Sequence, residues 1–295
     1  MTALGTFAQV VLNGLLLGGI YALVAFGLSL IYGVSRVLNL THGTFLMLAG
    51  ILASGLYAWT GWNPFFIAAA LVPAFFVLGG LFWGLFVRPN LTRPPLEVVI
   101  GSVLITVGLM MVIEDVSLFF AGPSLHSIPY RPPEVRLGPV AVGTARTWIL
   151  ACILVLTVAL QLFLRRSYVG KGIRAITEDY AGALLSGVDV ARLNVVCFGL
   201  GLALVAVAGV FYDMVFAIGP YMGFPLTVTA FTVIILGGIG SLVGSLLGGI
   251  ILGLAETGTA YVLGAKWAPA ISVVTLLLIL VVRPQGLLGY RLTHE

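Results

Sequence analysis

Long apolar stretches alternate with short polar breaks along almost the whole chain. Phe7–Tyr32 is nearly all apolar, and a helix needs about 20 such residues to cross a bilayer, so it predicts a first span. A break follows, GVSRVLNLTHG, carrying Arg36. Val37–Val87 then runs for 51 residues without a Lys, Arg, Asp or Glu. That is room for two spans, divided at Gly61-Trp62-Asn63-Pro64, where Trp59 and Trp62 suit an interfacial belt. Arg88, Pro89, Arg93, Pro94 and Pro95 make a rigid polar connection. Further spans are predicted at Val98–Phe120, Trp148–Leu164 and Leu193–Ala217. Leu226–Tyr261 is apolar sequence interrupted by glycines, and Ala268–Val282 closes the pattern at Arg283-Pro284, since proline cannot continue a hydrogen-bonded helix.

Two breaks are long. Ala121–Thr147 is punctuated by Pro123, Pro129, Pro132, Pro133 and Pro139. Arg165–Arg192 holds 8 of the 24 charged residues of the chain. Positive charge favours the cytoplasmic side. With 165–192 inside and strict alternation outward, Arg36, Arg88 and Arg93 also fall inside, as do Arg283 and Arg291 if Leu226–Tyr261 crosses twice. The uncharged N-terminus and the WTGWNP turn fall outside. The result is nine spans with the N-terminus out, within a range of eight to ten set by how the glycine-rich region is broken. One element disagrees: loop 121–147 carries Arg131, Arg136 and Arg146 to the outside.

Composition agrees with this layout. Of 295 residues, 60% are hydrophobic and only 8% charged, against roughly 25% charged in ordinary globular domains. So little polar surface cannot cover a soluble protein of this size. The fold class expected is all-α: a polytopic transmembrane helical bundle forming a single domain over 1–295, with broken or short helices in the glycine-rich half. The net charge of +4 is topological and does not indicate nucleic-acid binding. Cys152 and Cys197 sit in apolar runs as small hydrophobes.

Candidate chemistry is sparse. The only Gly-Lys pair, Gly170-Lys171, lacks the rest of a phosphate-binding loop. His42, His126 and His294 form no pair at metal-ligand spacing. No catalytic residue and no metal site is expected. Gly240, Gly244 and Gly248 share one helix face at a spacing of four, which permits close helix packing; Gly14/Gly18, Gly80/Gly84 and Gly249/Gly253 repeat it. Glu114, Asp115, Asp213 and Glu256 lie in or near apolar runs, where an acid is costly and marks a functional candidate. Glu114 and Asp213 are placed near the outer ends of their spans, either in contact with interfacial water, a neighbouring Arg or a backbone group, or, on the sharper reading, as an outer vestibule attractive to an amino group or cation. His42, beside Asn39, is placed near the inner end of a span. In the charged loop, Ile176, Tyr180, Leu184 and Leu185 recur at helical spacing while Glu178 and Asp179 face elsewhere, predicting an amphipathic helix on the cytoplasmic face.

Four stretches resemble the permease subunits of ATP-driven importers for branched-chain amino acids. They are NGLLLGGIYALVAFGLSLIYGVSRVLNLTHG, RAITEDYAGALLSGVDVARL, GPYMGFPLTVTAFTVIILGGIGSLVGSLLGGIILGLAE and VVRPQGLLG. Thr44 and the Glu114-Asp115 pair depart from the residues usual in the family. The resemblance implies a multi-pass protein of the bacterial cytoplasmic membrane, surrounded by lipid and itself without cofactor, catalytic group or nucleic-acid partner. It implies a second related permease (as homo- or heterodimer), two cytoplasmic ATPases that carry ATP and Mg, and a periplasmic or lipid-anchored solute-binding protein. It places the ATPase-coupling segment within Arg174–Arg192, with Arg174, Glu178, Asp179, Ala183, Gly187 and Asp189 as coupling residues. Asn39, His42, Glu114, Asp213 and Glu256 are the pathway candidates. Relatives that serve urea, short amides or aromatic acids keep those solutes open. A stand-alone secondary transporter or channel is the alternative from another class.

Overall fold

The computed structural model describes residues 3–133, 135–137, 140–283 and 285–288; Arg291 and His294 lie outside the described residues, and of Arg136 only the backbone is described. The chain is helical, as its apolar runs require: in lipid every backbone polar group must be satisfied within the segment. The membrane passes are α1 (Ala3–Ser35), α2 (His42–Thr60), α3 (Pro64–Phe82), α4 (Pro95–Ala121) and α5 (Thr144–Arg166). After α6 (Tyr168–Glu178) and α7 (Tyr180–Leu185) come α8 (Val190–Val215), α9 (Gly223–Gly237), α10 (Leu242–Val262) and α11 (Ala268–Val282). The strands β1 (Val135–Leu137) and β2 (Val140–Val142) form a small antiparallel hairpin in the α4–α5 loop.

Each of the nine expected passes is a helix, and eight helices are long and apolar enough to span a membrane. The exception is α9: its 15 residues reach about 22 Å, short of a full crossing. It forms an antiparallel pair with α10, so Leu226–Tyr261 holds two helices, one of spanning length and one short. Arg36, Arg88, Arg93, Arg165, Arg166, Lys171, Arg174, Arg192 and Arg283 all lie toward one end of the bundle. That makes it the cytoplasmic end.

Packing has a centre and a rim. About 94% of the apolar window of α1 and 83% of that of α8 are buried, against 11% in both α4 and α11. The peripheral helices therefore face lipid or another chain. At the centre, glycines bring backbones together. A Cβ on Gly18 would lie 2.7 Å from the Gly249 oxygen, and one on Gly249 would lie 2.6 Å from the Gly18 oxygen. Gly14/Gly18 and Gly249/Gly253 thus face each other across α1 and α10, and no side chain fits between. Gly244 and Gly248 occupy a second face of α10, against Gly237 and Val233 of α9. Two expectations are corrected. Gly240 is not on that helical face: it sits in the α9–α10 turn with φ +84°, before α10 begins. Gly84 meets nothing within 4 Å, so the Gly80/Gly84 repeat is not a shared packing seam.

Two irregular segments re-enter the bundle. Arg36, with φ +55°, ends α1 in a left-handed turn, and residues 36–41 then fold back along it. The His42 Nε2 donates to the Val24 oxygen at 2.9 Å, although Val24 lies 11 residues before the end of α1. The chain has therefore climbed about 16 Å back into the membrane before α2 starts. The second segment follows α11. The Leu287 and Leu288 N–H groups donate to the Leu236 and Gly237 oxygens at 2.8 and 3.0 Å. This satisfies carbonyls that the early end of α9 would otherwise leave bare.

Candidate functional site

The start of α2 is built from polar groups inside the membrane. Asn39, Thr41, His42 and Thr44 are all buried. The Asn39 Oδ1 accepts the Thr41 N–H at 3.1 Å, and the Thr41 hydroxyl donates to the Thr106 oxygen of α4 at 2.8 Å. Thr227 joins the starts of α2 and α9: its Oγ1 accepts the Gly43 N–H at 2.9 Å and donates to the Leu40 oxygen at 3.0 Å. His42 is thus at mid-depth, not near the inner end of a span, because the break after α1 is re-entrant instead of a surface loop. With Nε2 donating, Nδ1 is left as a buried acceptor without a partner. Thr227→Val removes the acceptor for Gly43 and strands a buried N–H. It is expected to cost about 1–3 kcal/mol, read as a lowered Tm of the detergent-solubilised protein, with Thr227→Ser restoring it.

The acids fall in separate places. Glu114 Oε1 and Thr44 Oγ1 flank Gly223, the first residue of α9; a Cβ there would lie 2.7 Å from the carboxylate and 2.5 Å from the hydroxyl. Both oxygens are buried without partners. Glu114 therefore joins Asn39 and His42 around the starts of α2 and α9. Asp213 is on another face of α8, against Gly50 of α2, and both of its oxygens are buried and unpartnered. Above it the outer loop is pinned: the Ile128 N–H donates to the Asp213 backbone oxygen at 3.1 Å, and His126 and Ile218 exchange backbone hydrogen bonds of 2.8 Å.

Glu256 of α10 is elsewhere again. Its Oε2 accepts the Tyr21 hydroxyl at 2.7 Å, and its Oε1 accepts that of Ser272 on α11. It lines a cavity of about 390 Å³ at the outer end, among α1, α8, α9, α10 and α11. Tyr21, Tyr212, Asn13 and Arg146 line it too, none of them a site candidate from sequence. The one signal was Arg146, on the wrong side of the charge rule.

At the cytoplasmic end, α5 folds sharply into α6. Ser167 caps α6 by accepting the Gly170 N–H at 2.9 Å, and a Cβ on Gly170 would lie 2.5 Å from the Phe163 oxygen, so only glycine fits the bend. The apolar face of α6, Ile173 and Ile176, is buried, while Arg174 and Glu178 line a second cavity of about 310 Å³ beneath it. The expected single helix is broken at Asp179, whose Oδ1 accepts the Ala181 N–H at 3.1 Å and starts α7. Asp189 likewise caps α8, accepting the Arg192 N–H at 3.1 Å and pairing with the Arg192 side chain at 2.8 Å. These two acids hold the segment's shape. Ala183 is buried as the anchor of α7, and Gly187, with φ +78°, turns the chain out of it. Tyr180, Leu184 and Leu185 are exposed, Leu185 to 91%. The Arg36 guanidinium donates to the Thr177 oxygen at 3.3 Å, linking α6 to the re-entrant segment.

Among the described residues, eight helices of spanning length, one shorter apolar helix and a paired helical platform at the cytoplasmic end make a polytopic membrane bundle. The chain belongs to the branched-chain amino acid transport system permease component family, which matches residues 10–282. It is 31% identical to the high-affinity branched-chain amino acid transport system permease protein LivH of Escherichia coli, over 96% of each chain. It is also 31% identical to the corresponding protein BraD of Pseudomonas aeruginosa, again over 96% of each. Among solved structures, PsaBC from Streptococcus pneumoniae in complex with Fab shares the fold, with a TM-score of 0.50 at 12% identity over 92% of this chain and 91% of that one. The chain is thus a multi-pass permease component of a transport system and is not itself the catalytic one.

Proposed function

We propose that this chain forms, with a second related permease, the translocation pathway of an ATP-driven importer for branched-chain amino acids. Two cytoplasmic ATPases drive it and an external binding protein delivers the solute. The observation that carries this reading is the α6–α7 platform. It is anchored from within by Ile173, Ile176 and Ala183, and it presents Leu185 and the exposed parts of Tyr180 and Leu184 to the cytoplasm, where no other described residue covers Leu185. A surface of that kind fits a protein partner.

The same platform supplies a lever. Motion imposed on α6 reaches Arg36 through the Thr177 oxygen, and Arg36 begins the segment that ends at the mid-membrane start of α2. Asn39, His42 and Glu114 lie at that end and are the pathway residues the lever acts on. ATP chemistry on the partners thus becomes a displacement at mid-depth.

The test is uptake into proteoliposomes. Leucine, isoleucine and valine enter when the two permeases, the ATPases, the binding protein and ATP are all present. Uptake by this chain alone, under an ion gradient and without ATP, overturns the reading.

A further inference from the structure

We infer that the outer cavity at Glu256 and Arg146 is a binding site for the solute as a zwitterionic α-amino acid, held within this one chain on its way through the membrane. The inference rests on the importer reading and adds to it where the solute sits and by which groups it is held.

The cavity is placed for that role. Its walls are the outer parts of α1, α8 and α10, the starts of α5 and α11, and the first turns of α9. Through Met222, Pro225 and Leu226 the cavity borders the mid-membrane junction of α2 and α9, so a solute held in it lies beside that junction. At about 390 Å³ it falls within the range of roughly 300–1,000 Å³ usual for small-molecule sites.

Its lining has the chemistry of an aliphatic amino acid. Leu16, Leu17, Val215, Met222 and Leu226 give an apolar wall. Glu256 lies at the deep side and Arg146 at the rim. Glu256 is 5% exposed, and its two oxygens already accept one hydroxyl each, from Tyr21 and Ser272. Each carboxylate oxygen has a second lone pair, so the site is built to receive a further donor. An ammonium group is the donor whose charge matches. Arg146 donates to the Asn13 Oδ1 at 2.8 Å, which holds its guanidinium over the cavity and leaves other N–H groups free for a carboxylate.

The spacing also fits. Asn13 and Tyr21, which hold the two charged groups, are eight residues apart on α1, about 12 Å along the axis. The Tyr21 side chain leans back toward the start of its helix and shortens that gap. A zwitterion with one hydrogen bond of about 2.8 Å at each end covers about 8–9 Å. A lipid chain in the same space leaves the remaining lone pairs of Glu256 unused, and a simple cation leaves the remaining N–H groups of Arg146 unused. The arginine that disagreed with the charge rule is, on this account, outside because the solute's carboxylate is met there.

The assembled transporter, with its ATPases and binding protein, is photolysed with the diazirine analogue of leucine, and the adducts are mapped by mass spectrometry. Adducts are expected on the cavity walls in α1, α8, α9 and α10. Excess leucine should abolish them. Isopentylamine and 4-methylpentanoate, which keep one charge each, should compete at least about tenfold less well. Ala260→Phe, which fills the cavity from α10, should lower labelling about tenfold or more. Adducts confined to other regions overturn the site, and equal competition by 4-methylpentanoate overturns the zwitterion in favour of a plain apolar groove. Leucine uptake by the same preparation separates the two readings. Uptake without cavity labelling sinks the site alone, and labelling without ATP-driven uptake sinks the importer reading.

Discussion

Gly253→Ala is expected to destabilise the protein by about 1–3 kcal/mol or more, while Gly258→Ala, five residues along the same helix, leaves it unchanged or slightly improves it. Only one methyl group is added in each case. At Gly253 it would meet the Gly18 nitrogen and lie 2.5 Å from both the Gly14 oxygen and the Gly18 Cα. All three are backbone atoms of α1, so no side chain can rotate away and the two helices must separate. Separation matters more in lipid than in water. Lipid tails are as apolar as leucine, so helix association relies on close van der Waals contact and not on hydrophobic exclusion. The α1–α10 contact is the most extensive in the bundle, and α1 is also its most buried helix. Around Gly258 nothing lies within 4 Å, and there alanine brings only its better helix propensity. Thermal unfolding of both variants in detergent checks the pair. Equal Tm values would show that α1 and α10 are not packed backbone to backbone.

The passes of this bundle were legible because each has a transfer cost behind it. An uncharged run such as Val37–Val87 has nowhere to go but lipid, and the arginines fix its direction. Packing was half legible. The glycine spacing announced close approach, yet nothing in the chain says that Gly249 and Gly253 meet α1 while Gly244 and Gly248 meet α9, because partner choice is a property of the assembled bundle. Gly240 looks like a third member of the repeat until the helix is seen to start at Leu242. The position of His42 was misread for a related reason. A polar break after a span reads as a surface loop, and only the hydrogen bonds to Val24 and Thr106 reveal that this one returns to mid-depth. Asp179 and Asp189 are coupling candidates by the family resemblance, and the chain alone does not show that they also shape the segment. Their side chains cap α7 and α8. The Glu256–Arg146 cavity was hidden because its residues come from six helices, and one clue to it was an exception to a topological rule.

Leu185→Asp is expected to remove the ATPases from the purified complex and reduce ATP-driven uptake to background, with the permease itself present in the membrane at normal levels. The Leu185 side chain is 91% exposed, so changing it removes little contact with the described residues, whereas Leu184 and Tyr180 beside it are half-buried. The helix that carries them is held at both ends. The Asp179 carboxylate caps its start, and at its end the Gly187 and Val188 N–H groups donate to the Leu184 and Ala183 oxygens at 3.0 and 3.1 Å. A rigid, preshaped knob lowers the entropy cost of docking. Burying one leucine fully is worth about 1.5–3 kcal/mol, and placing a carboxylate in the same pocket adds a desolvation cost, so a loss of affinity of about a hundredfold or more is reasonable. Leu185→Met, similar in volume and polarity, should keep both assembly and uptake. Gly187 is the poorer probe: at φ +78° any side chain strains the backbone, so a defect there confounds docking with the shape of the turn. Full uptake by Leu185→Asp would mean that the ATPases grip a different surface, and α7 would lose its role as the point where force enters this chain.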